Sequence, residues 1–517
     1  MLSDPFRYTA PFMLPWALLP SLAVLYLLGW IVYCRTLHPL AKIPGPFLAS
    51  VSRLWIMHQT SHGKMQDVQR ELHRKYGPLI RIAPNEIACA DPEAIPHIYR
   101  TTNALSKSDF YPVWGNKSFS KYPDHFSNTD EKLHAQRRRI ISHVYSLSNV
   151  LRSERYIDNC SNLFMQRVGE FADRGEAFDL GQWLQMYAFD VVGELYFGKM
   201  FGFMEHRTDY ESYIQSLDAL LPVLAETALA PSYMRPFILG TSLLSPTVRK
   251  ALKAIDHIAQ AARDCVNRRL QALSTGSEDV RTDLLQQLFD ISQEKGEKYD
   301  FKVGEIQYES YVAIFAGSDT TAIAMRSVIY HLLKNPTVYK EVTAEIDDAD
   351  EHGLLSNPIQ YSEAVTLPLL CACIKEAMRL HPSVGLTMPR VAPEGGLVLC
   401  GEVIPGGYRV GMNAAVVHHD QRIFGTDAAE FRPSRWLSAD AKTMDKYMLH
   451  FGAGTRTCIG KNISLSELHK LVPQLLRTFD LELATDRPWD TQNFWFNKQT
   501  GLIARARRRR ERVALSN

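Results

Sequence analysis

The stretch "FGAGTRTCIG", Phe451–Gly460, holds one cysteine, Cys458, among three glycines and one arginine. It is too glycine-rich to pack as ordinary core, and a cation, Arg456, stands two residues before the thiol. Two readings compete. Either Cys458 is a small buried hydrophobe, as free cysteines commonly are, or its sulfur is a metal ligand. A cysteine binds metal as thiolate, which positive potential favours. The stretch runs into a helical pattern near Cys458–Asn462, and the free amides of a helix N-terminus supply that potential. Gly454 and Gly460 let the backbone approach a large flat object, and Arg456 can pair with an anionic group on it. Haem meets these demands: iron for the thiolate, a flat face for the glycines, propionates for the arginine. Cysteine thiolate as axial haem ligand favours cleavage of the O–O bond. On this pattern alone a structural cysteine stays open beside it.

Working outward, the chain has 517 residues, 46% of them apolar and 22% charged, so a large core is expected and global disorder is excluded. Lysine and arginine number 58 against 56 aspartates and glutamates, a net of +2 that gives no reason to expect nucleic acid. Eight cysteines, Cys34, Cys89, Cys160, Cys265, Cys371, Cys373, Cys400 and Cys458, form no CxxC pair. Neither a zinc ribbon nor a thioredoxin-like site is signalled, and a reducing compartment fits.

Tyr8–Cys34 is a run of 27 residues without a charge. As a helix it spans ~40 Å, enough to cross a ~30 Å hydrocarbon core. No small-residue cleavage site follows Trp30, which argues against a cleaved signal; of a transmembrane anchor, an uncleaved signal and a buried core helix, the length favours the anchor. Pro11, Pro15 and Pro20 are expected to kink it or delay its start. Arg35 and Lys42 on its C-terminal side, against Asp4 and Arg7, place the main body in the cytosol. "HPLAKIPGP", His38–Pro46, carries three prolines in nine residues and reads as a stiff, extended hinge. The division expected is 1–36 anchor, 37–46 hinge and 47–517 one large domain.

That domain reads mainly α with a small β component. Helices are expected over Lys64–Tyr76, Leu133–Tyr145, Glu154–Arg174, Leu180–Phe197, Pro246–Ala272, Asp283–Gln293, Lys302–Lys334, Leu367–His381 and Ser464–Phe479. Leu79–Ala90 alternates around Pro84-Asn85 and reads as a hairpin. Short strands are expected at Gly396–Leu399, Tyr408–Met412 and Leu502–Ala504.

Phe451, Gly454, Arg456, Cys458 and Gly460 match F-x-x-G-x-R-x-C-x-G, the cysteine-loop signature of the cytochrome P-450 family, which the chain resembles from about Pro44 to Ile503. Other segments agree. "AGSDTT", Ala316–Thr321, is a poor helix interior by propensity, and in the family such a run bends the central helix open beside the haem, with Ala316 and Gly317 against it. The resemblance gives Thr320 a hydrogen bond to the oxygen ligand and Asp319 the supply of protons. A carboxylate beside a hydroxyl can relay the two protons that O–O cleavage needs; the alternative is that Thr320 merely bonds back to a helical carbonyl.

"KEAMRLHP" and "FRPSRW" carry Glu376, Arg379 and Arg435, which by resemblance form a structural triad behind the haem. Ser434 stands where the family usually has an acid, and Trp436 where it usually has phenylalanine. "HAQRRR" supplies His134 and Arg138 at the spacing of two propionate contacts, with histidine in place of tryptophan. Arg390 in "MPRVAPEGG" resembles a further one.

The implied enzyme is a monooxygenase carrying heme b, in the cytochrome P-450 fold and similar to fungal secondary-metabolism members of the pisatin-demethylase-like branch. No flavin or nicotinamide segment is visible, so the implied electron donors are NADPH–cytochrome P-450 reductase and cytochrome b5. The implied location is the endoplasmic reticulum membrane, single-pass. Ser108–Phe126, Ser383–Met388 and Phe494–Phe496 fall where the family lines its pocket, and their apolar character suits a lipophilic small molecule; for any single residue among them, ordinary core packing is the alternative. A haem-thiolate isomerase or dehydratase, or a non-catalytic haem-binding membrane protein, are the alternatives; the intact Asp319-Thr320 pair favours oxygen activation. The arginine-rich Arg505–Asn517 reads as a solvated tail near anionic headgroups.

Overall fold

A computed structural model describes residues 14–275 and 281–509, with side chains from Leu18 onward. Its axis is one helix, Val303–Lys334, here the central helix. It ends where Pro336 opens the next helix, Pro336–Glu351. Across the central helix lies Leu180–Phe197, the crossing helix, buried along nearly its whole length. Most of its residues are apolar because it has almost no solvent face. Asp179 caps its N-terminus by accepting from the Gln182 amide at 3.0 Å. Gly317 is needed where the two helices meet: a Cβ there would lie 3.0 Å from Val192 Cγ2.

The expected opening of the central helix does not occur; it is continuous through Ala316–Thr321. Ser318 Oγ donates to Ile314 O at 2.5 Å and Thr320 Oγ1 to Ala316 O at 2.7 Å. The hydroxyls that make this run a poor helix former are bonded back onto the helix itself.

Glu131–Ile141 (the basic helix), Pro368–Leu380 (the brace helix) and Lys461–Thr478 (the proximal helix) complete the frame around the site. On the brace helix, Glu376 Oε2 accepts from Arg379 Nε and Oε1 from Arg379 Nη2, both at 2.8 Å. Arg435 Nε joins at 2.9 Å, and the triad is fully buried. Trp436 Nε1 donates to Glu376 Oε2 at 2.8 Å, a bond phenylalanine could not make. The acid missing at Ser434 is met by Asp427, 2.7 Å from Arg432 and 3.3 Å from Arg435.

The sheets are small. One has the order Leu79–Ala83, Glu86–Cys89, Arg409–Gly411, Arg390–Val391, with the middle pair parallel and the outer pairs antiparallel. Another sets Ile503–Arg508 between Phe178–Asp179 and Phe479–Leu483. Hairpins are formed by Leu397–Leu399 with Glu402–Ile404 and by Asp490–Phe494 with Phe496–Thr500.

At the N-terminal end, Leu14–Val32 is helical with Pro20 inside it and continues into a wider turn, Tyr33–Leu37. Leu18–Leu37 is apolar, long enough to cross a membrane, and almost entirely exposed. Trp30 Nε1 fastens its base to Val51 O at 2.9 Å. The hinge is not extended. Ala41 N–H donates to His38 O at 2.8 Å and Ile43 N–H to Leu40 O at 3.1 Å, and Leu40 and Ile43 are buried with Leu79 and Ile87. Its two apolar side chains gain more from burial than the prolines gain from extension. The described part of the arginine-rich tail is also no free tail: Arg508 pairs with Asp173 at 2.6 Å and Arg509 with Asp347 at 2.6 Å. Residues 510–517 lie outside the described residues.

Candidate active site

The cysteine stretch closes on itself. Cys458 N–H donates to Phe451 O at 2.8 Å, around a short 3-10 turn, Gly454–Arg456. Phe451 is half-buried against the main core, its ring 4.7 Å from that of His450. The two glycines differ. Gly454 sits at φ +68°, and a Cβ there would lie 2.4 Å from both Tyr99 O and Arg100 O, so its smallness serves backbone packing. At Gly460 a Cβ would meet only the Cys458 sulfur, at 4.0 Å, and the approach expected of both glycines is open there alone.

Cys458 lies deep among protein atoms, yet its surface is exposed, so it borders an interior space rather than the outer surface. Burial pushes the thiol pKa up. The amides of Gly460 and Lys461 at the start of the proximal helix, with the Arg138 and Lys461 charges, pull against it. Ala316 is the counterpart on the central helix: exposed at mid-helix, with Ser318 and Asp319 buried beside it. The central helix packs against the proximal helix.

The predicted cations gather beside the cysteine, in altered pairings. Arg138 Nη2 donates to Thr457 O at 2.6 Å. Arg456 Nη2 pairs with Glu131 Oε1 at 2.6 Å, so it is tied to the basic helix. Arg390 donates to the Tyr111 hydroxyl at 3.0 Å and lies 4.9 Å over the Tyr99 ring. His134 is buried, and burial, then Arg456, His125, Arg138 and Lys107, holds its pKa down to about 2. It is therefore neutral, and its Nε2 has no partner among the described residues.

Lys107 belongs to this cluster and was not predicted. It bridges to Arg390 across a β-bridge, donates to Phe126 O at 2.7 Å, and is held far below the usual lysine range by burial, then Arg390 and Arg456. A lone lysine in "SKSD" has no spacing to announce it. Four basic side chains, Lys107, Arg138, Arg390 and Arg456, thus converge; Asp124 and Glu131 act on Lys107, and Glu131 alone on Arg456. This surplus, with the unpartnered His134 nitrogen, fits the two carboxylates of a haem, and the thiol beside open Gly460 fits its metal.

Asp319 and Thr320 are adjacent in sequence but not in direction, as i,i+1 positions on a helix do not face each other. Thr320 bonds to Ala316 O on the open side. Asp319 is buried toward the crossing helix, where Gln185 Nε2 donates to its Oδ1. Burial raises the Asp319 pKa; Lys498 opposes that, Asp218 adds to it, and Arg326 and the Gln185 bond lower it.

The three stretches expected to line a pocket do meet. Phe110, Trp114 and Phe126 gather round Trp495 at 5.2, 6.0 and 5.6 Å, and Gly385 N–H donates to Trp495 O at 3.1 Å. Trp495 adopts φ +97°, a strained value for a bulky residue. Ser383 Oγ donates to Thr320 O at 2.8 Å, which ties this cluster to the central helix. A separate groove of about 460 Å³, lined by Arg139, His143, Asp290 and Glu294 among others, holds none of the predicted site residues.

A sequence model described as Cytochrome P450 matches residues 44–505. Among curated proteins, Cytochrome P450 monooxygenase gsfF of Penicillium aethiopicum is 51% identical over 479 residues, 92% of this chain and 95% of that protein. Cytochrome P450 monooxygenase ACRTS1 of Alternaria alternata is 40% identical, over 72% of this chain and 99% of that protein. Pisatin demethylase of Fusarium vanettenii is 35% identical, over 94% of this chain and 93% of that protein. The cysteine loop and its cations stand within a match that spans nearly the whole chain, and the chain belongs to the cytochrome P450 family of haem-iron monooxygenases.

Proposed function

We propose that the chain binds heme b with Cys458 as axial thiolate and oxidises a lipophilic small molecule of a fungal secondary-metabolite pathway. Its electrons come from NADPH–cytochrome P-450 reductase, with cytochrome b5 as a second donor. Residues 1–36 hold it in the endoplasmic reticulum membrane, 37–46 join anchor to body, and 47–517 form the catalytic domain facing the cytosol. The observation that carries this reading is the open, deep-lying Cys458 thiol with unbalanced cations beside it.

Each residue has a physical task. The Gly460 and Lys461 amides stabilise the Cys458 thiolate against burial. His134, Arg138, Lys107 and Arg390 receive the propionates, while Arg456, tied to Glu131, fixes the loop to the basic helix. Phe451, Gly454 and Gly460 set the loop's shape; Ala316 and Gly317 keep the central helix slim at mid-length. When bound, haem would supply the redox chemistry for transfer of one atom of O₂ to the substrate, the other leaving as water with two electrons from the reductase and two protons. Thr320 gives its proton to Ala316 O, so its lone pairs remain to accept a bond on the open side. Asp319 carries protons in from the crossing-helix side. The two side chains diverge, so a water or a side-chain rotation completes the path. The aromatic cluster around Trp495 excludes bulk water and selects apolar ligands.

The test compares dithionite-reduced, carbon monoxide-treated wild type with Cys458→Ser. A red-shifted Soret band in the wild type alone is expected, with product formation strictly dependent on NADPH and reductase. No haem band in folded wild-type protein overturns the reading.

A further inference from the structure

A buried polar chain runs from Asp319 to a second charged residue of the central helix that no sequence motif marks. Arg326 lies seven residues on, two turns along the same face. Its Nε donates to Gly181 O at 2.9 Å and its Nη2 to Gln185 Oε1 at 2.8 Å. Gln185 Nε2 in turn donates to Asp319 Oδ1. Asp319, Gln185 and Arg326 are each 2% exposed or less. Gly181 makes room for the guanidinium, since a Cβ there would sit 3.0 Å from Arg326 Nε.

The order of donors and acceptors in this chain is forced. A guanidinium has only donors, so the Gln185 carboxamide must turn its oxygen to Arg326. Its NH₂ then points to Asp319 without alternative. Turned over, the amide would set donor against donor at one end and acceptor against acceptor at the other. Asp319 Oδ1 is thereby occupied, whereas Oδ2 is buried and has no partner among the described residues.

We propose that Arg326 and Gln185 are positioning residues for proton delivery: the guanidinium locks the amide, the amide holds Oδ1, and Oδ2 is the atom that exchanges protons. The lock also sets how readily Asp319 lets its proton go, because a donor held on a carboxylate favours the ionised form. Releasing the amide removes that donor and leaves burial to keep Asp319 protonated. The other charged groups acting on Asp319 are Lys498 and Asp218, themselves paired at 2.5 Å. This inference rests on the reading of Asp319 as the acid that feeds protons to the site.

The experiment is an infrared titration of the full-length protein in detergent, following the stretch of the protonated carboxyl group, with Asp319→Asn identifying the band. Arg326→Met and Gln185→Leu are each expected to raise the midpoint by about one pH unit, a tenfold change in dissociation constant. Gln185→Leu keeps the size of the side chain and the Arg326 bond to Gly181, so it decides the matter if the Met variant does not fold. Midpoints unmoved in the folded variants overturn the proposal. The solvent isotope effect on reductase-supported NADPH oxidation is read separately in Asp319→Asn. If that substitution leaves the effect unchanged, the proton-feeding reading of Asp319 falls, whatever the infrared midpoints show, and the positioning role falls with it.

Discussion

Glu376 shows at the scale of one residue how the fold keeps a buried charge. Burial alone would push its pKa up, but hydrogen bonds from Arg379, the Arg379 and Arg435 charges and the Arg432 amide hold it below the usual carboxylate range. A buried ion pair contributes only when its remaining lone pairs are satisfied. Here Trp436 Nε1 fills one of them. The Trp436→Phe variant keeps the ring and loses that donor, and a hydrogen bond to a charged group is worth ~1.5–3 kcal/mol. Urea unfolding should therefore show a loss of that size, with faster haem loss on heating, and an unchanged unfolding midpoint would mean the indole serves as bulk alone. The triad was legible in sequence because Glu376 and Arg379 share a helical spacing and a motif. Lys107, Gln185 and Arg326 were not, since each is a lone polar residue whose role depends on what distant chain segments bring to it. The sequence named His134, Arg138 and Arg390 as candidates and the structure gathers them with Arg456, but the pairing of Arg456 with Glu131 had no spacing to announce it.

At the scale of elements, helices whose ends carry caps or prolines were read almost to the residue, as with Glu154–Arg174 and Leu180–Phe197. Tyr213–Leu229 escaped because Pro222 interrupts its pattern, and Pro336–Glu351 because its acidic second half hides the apolar face. The central helix was placed correctly, but its hydroxyls stitch closed the run expected to open. The hinge misled for a related reason: three prolines suggest extension, while the burial of Leu40 and Ile43 decides the outcome. This separates the two roles of the N-terminal region. Removing residues 1–28 takes away most of the exposed apolar helix and keeps the Trp30 bond to Val51, so binding to phosphatidylcholine vesicles should be lost with urea stability intact. Removing residues 1–46 also strips out Leu40 and Ile43, at ~1.5–3 kcal/mol for each buried side chain. The second truncation should unfold at clearly lower urea; equal midpoints for the two would refute the packed hinge.

Across the whole molecule, the surroundings of the brace helix collect neutral histidines from distant parts of the chain. His331 comes from the central helix, His381 follows the brace helix, and His419 and His450 come from the segments leading to the cysteine loop. Burial, the largest cause in each, lowers His331 and His450 to about 4 and His381 and His419 to about 3. His418, bonded between Arg379 O and the Leu449 amide, is lowered as well. An unfolded histidine titrates near ~6.5. Between that value and the folded one the unfolded chain binds more protons, so stability is full above it and falls as pH drops. Each such histidine steepens the fall by up to ~1.4 kcal/mol per pH unit. Carboxylates that burial raises, Asp319 and Glu467 among them, tilt the other way. His331 offers the cleanest test, because its ring lies stacked on Phe431 at 5.1 Å and phenylalanine can replace it in place. In His331→Phe the slope of unfolding free energy against pH should shrink by about one proton at pH 5, with little change at pH 8. Parallel curves for wild type and variant would show that His331 is already protonated in the folded protein, and that its burial beside the brace helix adds no sensitivity to acid.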